Sequence, residues 1–185
     1  MVVLVCGGYG SEARLERASQ AQIAKWYPRL FRTALRLTRN AEDAADLTQQ
    51  TFYNALRNWD RFDGGARPTT WLHQILLNCV RDWARRRAVR SAEPLHEWTV
   101  AAAAKKGASP LEEVERVEQA DRLAGAINHL PPLLRQAFIV TVMDGYTYQE
   151  TAEILSVPVG TVASRVHQAR RLLMDAMRQA FPEVE

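Results

Sequence analysis

Cysteine is nearly missing from this chain: two residues in 185, Cys6 and Cys79. One sits in a glycine-rich start and the other on an apolar helical face, so no disulfide is expected, and Cys79 reads as a small core residue. Long hydrophobic runs are missing too. The apolar start, MVVLVCGGYG, is far too short to span a bilayer and shows neither a positive leading segment nor a small-residue cleavage site. No membrane insertion is expected, and the chain is expected in the cytoplasm. The four histidines stand singly rather than at ligand spacings, no glycine loop suited to phosphates is present, and no nucleophile motif organises the Ser, His and Asp residues. No metal, cofactor or catalytic residue is therefore expected, and the chain does not read as an enzyme.

What is present is a hydrophobic content of 47% with 24% charged residues, enough apolar material for a buried core. The net charge of +3 is unevenly spread. Residues 22–90 hold 13 Lys and Arg against 6 Asp and Glu, while the rest of the chain holds 11 against 15. A local basic excess of this kind attracts polyanions, and nucleic acid is the commonest one.

Clear periodicities are helical throughout, at steps of three and four residues, and no run alternates over strand length. The fold class expected is all-α: two small helical domains joined by a flexible linker. Residues 22–39 carry an apolar stripe of Ile23, Trp26, Leu30, Phe31, Ala34, Leu35 and Leu37, with Arg29, Arg32, Arg36 and Arg39 around it. Asn40 breaks and caps, and the next helix begins with Glu42, Asp43 and Asp46, where the helix dipole favours negative charge. NWDRFDGGARPTT is a loop, with Thr69 or Thr70 able to cap a helix starting at Trp71. That helix turns Leu72, Ile75, Leu76, Cys79 and Trp83 inward and Gln74, Asn78, Arg81 and Arg85 outward. Residues 91–111 lack sustained periodicity and read as the linker. Ser109, Pro110 and Glu112 then start a helix that runs to about His129, and LPP at 130–132 starts another, which stops at Gly145.

Thr147 to Glu150 reads TYQE, a capping box, and Ser156 to Pro158 break the chain before a second helix. This is a helix-turn-helix. On its second helix Val162, Val166, Ala169 and Leu173 share a narrow inward arc, leaving Gly160, Ser164, His167, Gln168 and Arg171 outward with Arg165 and Arg170 at the flanks. No acidic residue lies between Pro158 and Met174. Small, hydrogen-bonding and basic residues on one helical face suit the major groove of duplex DNA.

The stretch from Leu130 to Leu173, LPPLLRQAFIVTVMDGYTYQETAEILSVPVGTVASRVHQARRLL, resembles domain 4 of bacterial RNA polymerase sigma factors. AEDAADLTQQTFYNALRNWDRF, followed by TTWLHQILLNCVRDWARRR, resembles their domain 2. Order, separation and length are similar to the extracytoplasmic-function (ECF) group. The resemblance divides the chain into an extension of unknown role (1–21), domain 2 (22–90), a linker (91–111) and domain 4 (112–185).

The resemblance implies an initiation factor with several partners. It would bind core RNA polymerase at the beta-prime clamp coiled coil and the beta flap, bind promoter DNA, and be held by an anti-sigma factor. Core polymerase would meet Asp46, Gln49, Gln50 and Tyr53. The opened −10 strand would meet Asp60, Arg67, Trp71, Gln74, Asn78, Arg81, Arg85 and Arg86. Trp71 reads equally as a stacking platform or as core, and Trp59 and Trp83 read as core. Duplex at the −35 element would meet Gly160, Thr161, Ser164, Arg165, His167, Gln168 and Arg171. Three departures from the family pattern stand out. Ala45 and Gln50 occupy places where Glu is common, Ala163 replaces a usually basic residue, and His167 and Gln168 stand where an aromatic or Arg occurs. Two alternatives remain open on the residues: a sigma-like decoy that only occupies an anti-sigma factor, and a DNA-binding regulator that works without polymerase.

Overall fold

A computed structural model describes residues 20–59, 62, 67–90 and 110–180, and these are helical apart from short connections. Contacts divide the chain into two units, with the division after Ala84. The first unit contains α1 (Gln20–Thr38), α2 (Ala41–Arg57) and most of α3 (Pro68–Arg90). The second contains α4 (Pro110–His129), α5 (Pro132–Phe138), a π-helical turn (Ile139–Met143), α6 (Tyr148–Leu155) and α7 (Val159–Ala180). The expected extension 1–21 and linker 91–111 lie outside the described residues, except that α1 already begins at Gln20 and α4 at Pro110.

In the first unit, α1 and α2 are joined by two residues. Arg39 takes the left-handed conformation (φ 62°) that ends α1, and its N–H reaches the Leu35 carbonyl at 2.8 Å. Asn40 then caps α2, its Oδ1 accepting from the N–H groups of Glu42 (2.8 Å) and Asp43 (3.0 Å). Two helices joined so tightly must pack side by side, and they bury Leu30, Ala34 and Leu37 against Ala44, Leu47 and Ala55. Thr33, Thr48 and Thr51 are fully buried in the same layer. Each hydroxyl donates to the carbonyl four residues back, at 3.1, 2.7 and 2.7 Å, so none is left unsatisfied by burial.

The inward face of α3 is Leu72, His73, Leu76, Leu77, Cys79 and Val80. The expected start at Trp71 is corrected to Pro68. Proline's fixed φ and missing N–H suit the first helical position, so Thr69 and Thr70 lie inside the helix and do not cap it. Trp59 and Trp83, expected in the core, are half-buried, as is Ile75. The buried residue that hydrophobic periodicity overlooks is His73. Its Nδ1 lies 2.8 Å from the Thr69 carbonyl, which can only accept, so Nδ1 carries the proton. Its Nε2, 3.3 Å from the Thr33 hydroxyl, ties α3 to α1.

In the second unit Leu130 and Pro131 separate α4 from α5, and Pro132 is the first residue of α5. The helix expected to run unbroken from there to Gly145 instead widens into a π turn, where the Asp144 N–H reaches Ile139 O five residues back at 2.9 Å. Gly145 (φ 74°) ends it, and Tyr146 drops into the core. Thr147 and Glu150 form the expected capping box: Glu150 N–H donates to the Thr147 hydroxyl (3.2 Å), and the Thr147 N–H to Glu150 Oε2 (2.9 Å). At the turn, Ser156 is left-handed (φ 55°, ψ 49°), the conformation that closes α6 and that glycine usually supplies. α7 then buries Val162, Val166, Ala169 and Leu173, as the spacing predicts. Each buried Val or Leu side chain contributes roughly 1.5–3 kcal/mol.

Two predictions follow from buried or constrained positions. Burial, opposed by the Thr69 carbonyl and aided by the Arg29 charge, lowers the His73 pKa from 6.5 to about 4. Between those values the unfolded chain takes up a proton that the folded chain refuses. Stability is thus complete above pH 6.5 and falls by about 3 kcal/mol as pH drops toward 4. Urea unfolding followed by tryptophan fluorescence between pH 7 and 4.5 should show this loss, and His73→Phe should flatten it. Ser156→Gly should raise stability by up to about 1 kcal/mol, and Ser156→Val should lower it, both read from the thermal midpoint.

Candidate functional site

On α2, the inward Leu47, Thr48, Thr51 and Ala55 leave Asp46, Gln49, Gln50 and Tyr53 on the outside, and all four are exposed. Tyr53 is an aromatic ring 44% exposed. The Arg57 guanidinium lies over it, 5.6 Å from the ring centroid, and Gln50 Nε2 donates to Asn54 Oδ1 at 2.9 Å. The row is therefore partly ordered in advance, with one negative charge and three hydrogen-bonding or aromatic groups.

Arg67, just before α3, and Asn78, Arg85 and Arg86 on it are exposed, while Trp71, Gln74 and Arg81 are half-buried. Asp60 lies outside the described residues. Arg81 donates from Nη1 to Asn78 Oδ1 at 2.9 Å, so the two present one polar unit. Trp71 belongs to a cluster with Trp59 (5.6 Å, edge to face) and Phe62 (5.1 Å), and Phe62 lies 5.7 Å from Trp59. Trp71 is thus neither a lone platform nor core: neighbouring rings fix its orientation while part of it stays in solvent. The arginine-rich end of α3, residues 85–87, is exposed on all three positions.

A second tie, not visible in the sequence, holds this end. The Trp83 indole N–H donates to Asp43 Oδ1 at 3.0 Å, joining the first turn of α2 to α3 two residues before Arg85. Asn54 Nδ2 approaches Cys79 Sγ at 3.4 Å, a weaker link between the same helices. The pairs are 40 and 25 residues apart in sequence. No helical period connects such positions, whereas Asp43 alone has a sufficient local reason to sit where it does, at a helix start.

On α7, Gly160, Ser164, His167, Gln168 and Arg171 are exposed, and Thr161 and Arg165 half-buried. This is the division the sequence predicts. The Ser164 hydroxyl donates to Thr161 O at 3.0 Å. Among the described residues no group of His, Cys, Asp or Glu could hold a metal ion, and no helix is long and apolar enough to cross a membrane.

Comparison with known proteins matches the two units to two family models: Sigma-70 region 2 over residues 23–90 and Sigma-70, region 4 over residues 120–173. The chain is 35% identical to the ECF RNA polymerase sigma factor SigE of Mycolicibacterium smegmatis, over 84% of this chain and 60% of that protein. It is 35% identical to the ECF RNA polymerase sigma factor EcfG of Rhodopseudomonas palustris, over 79% and 77%. Among solved structures it is similar to the sigma factor RpoE of Bartonella quintana in complex with the anti-sigma factor NepR, with a TM-score of 0.70, 26% identity and coverage of 86% and 96%. It is also similar to CnrH in complex with the cytosolic domain of CnrY, with a TM-score of 0.62, 26% identity and coverage of 92% and 96%.

The Asp43–Trp83 bond has a charged acceptor at a partly solvated site, which gives it a stabilisation of about 1–2 kcal/mol. Asp43→Ala and Trp83→Phe should each lower stability by about that amount. The double variant should cost clearly less than the two single losses together, as measured by a thermodynamic cycle of urea unfolding.

Proposed function

Because the chain belongs to the ECF RNA polymerase sigma factors, we propose that it joins core RNA polymerase through the outer face of α2 and handles promoter DNA with α3 and α7. The observation that carries this reading is the helix-turn-helix of α6 and α7. Its second helix, free of acidic residues from Val159 to Met174, exposes Ser164, His167, Gln168 and Arg171 while Val162 and Val166 are fully buried. A helix so divided presents Ser164, His167, Gln168 and Arg171 to base edges, with Thr161, Arg165 and the close-approaching Gly160 toward phosphates of the −35 duplex.

Melting at the −10 element is a different task. Each base-pair step opened costs on average about 1.4 kcal/mol, and a base stacked on an aromatic returns roughly 1–3. In this proposal Asp60, Arg67 and Trp71 accept displaced bases, Gln74, Asn78 and Arg81 hydrogen-bond them, and Arg85 and Arg86 hold phosphates. Asp46, Gln49, Gln50 and Tyr53 dock on the polymerase clamp. The role is one of binding, without making or breaking bonds, and it belongs in the cytoplasm with the polymerase. The RpoE relative is found with an anti-sigma factor. An equivalent protein partner is proposed for this chain, blocking the same faces until it is released.

Co-elution with core RNA polymerase tests the reading. The unmutated chain should co-elute and the Gln49→Ala/Gln50→Ala/Tyr53→Ala variant should not, with the thermal midpoint unchanged. No co-elution of the unmutated chain would remove the sigma reading and leave a polymerase-independent regulator or a decoy. Arg171→Ala should leave co-elution intact and weaken −35 duplex binding by roughly 1–3 kcal/mol in a mobility-shift titration.

A further inference from the structure

The proposed polymerase and DNA contacts leave the charge pattern of α1 without a use. From Gln20 to Thr38 this helix contains no acidic residue, and its cations Lys25, Arg29, Arg32 and Arg36 follow at steps of four, three and four. At about 100° per residue these steps hold all four within an arc of roughly 60°, in a row about 17 Å long. Lys25 and Arg32 are exposed, Arg29 and Arg36 half-buried.

Two observations indicate which polyanion. The apolar face of α1, with Leu30, Ala34 and Leu37, is already buried, so the helix has no face left to insert into a lipid surface. One member of the row, Arg29, acts on the start of α3: its charge helps lower the pKa of the buried His73, which the Thr33 hydroxyl meets at 3.3 Å. Gln74, assigned above to the opened strand, is the next residue after His73.

We propose that the Lys25–Arg29–Arg32–Arg36 row is a second binding track for promoter DNA, taking the phosphates of the strand that passes over α3. It rests on the sigma reading. The contact is to backbone charge and carries no base preference, so it adds to binding without altering which promoter is chosen. A strand gripped both on α3 and on α1 is held at two points, which favours the open over the closed promoter.

The test uses holoenzyme assembled from the full chain and core polymerase, with the Lys25→Gln/Arg32→Gln variant, both substitutions being at exposed positions. Core polymerase affinity and the thermal midpoint should stay as in the unmutated chain. Promoter binding near physiological salt should fall about ten-fold. The slope of log affinity against log salt should become shallower by roughly 1.4 to 1.8, the loss of two phosphate contacts. Lys25→Arg/Arg32→Lys should restore both. An unchanged salt slope would overturn the proposal, and so would a charge-preserving variant as weak as the neutral one. Loss of core polymerase affinity in the neutral variant would reassign the row to an acidic protein surface. If the unmutated holoenzyme itself fails to bind promoter DNA, the sigma reading fails first.

Discussion

The arrangement of the first unit depends on one uncharged imidazole. His73 is fully buried where α1 and α3 meet. With Nδ1 donating to the Thr69 carbonyl, Nε2 can only accept, and its partner is the Thr33 hydroxyl. That hydroxyl also lies 3.1 Å from the Arg29 carbonyl, so one proton serves two acceptors. The geometry fixes how α3 is rotated against α1, and with it which residues of α3 are left to solvent. A rotation of one residue, about 100°, would carry Asn78 inward and Cys79 out. Leucine at this position would fill the space but would not fix the rotation, since dispersion contacts carry less direction than a hydrogen bond.

Around that contact the same division recurs. On α2 and α7 small, aliphatic and threonine side chains are buried on one side, and longer polar side chains are exposed on the other. α2 exposes Gln49, Gln50 and Tyr53 over Thr48 and Thr51; α7 exposes Ser164, His167, Gln168 and Arg171 over Val162, Val166 and Ala169. The buried threonines allow α1 and α2 to pack closely while their hydroxyls stay satisfied within their own helices. The outward residues are thus held by backbone whose position is set elsewhere, which keeps flexible polar side chains in register.

What the sequence makes legible is what local rules govern. Asn40 with the N–H groups of Glu42 and Asp43, Thr147 with Glu150, and the Val162 to Leu173 set are all separated by a few residues, so helical geometry alone brings them together. What stays hidden has no such constraint. The Asp43–Trp83 bond spans 40 residues. The Trp59, Phe62 and Trp71 cluster depends on the path of a loop, and a buried histidine resembles an exposed one in sequence. Two threonines next to a proline satisfy a capping rule that points to Trp71, and the proline itself overrides it by starting α3 at Pro68. The π turn adds one residue to a helix without any residue type that announces it. Outward placement of the candidate DNA and polymerase residues was legible, since it is the complement of the buried set; their contacts with partners are a property of two molecules.

The separation of faces on α7 also bears on descent and on engineering. Val162, Val166, Ala169 and Leu173 hold the helix, and none of them is among the residues that would read DNA. Positions 160, 164, 167, 168 and 171 can therefore drift without loosening the fold. A family built this way can multiply its promoter vocabulary by copying the chain and changing a handful of surface residues. The departures at Ala163, His167 and Gln168 fit that freedom: they are half-buried or exposed, and the helix that carries them keeps its inward set whole.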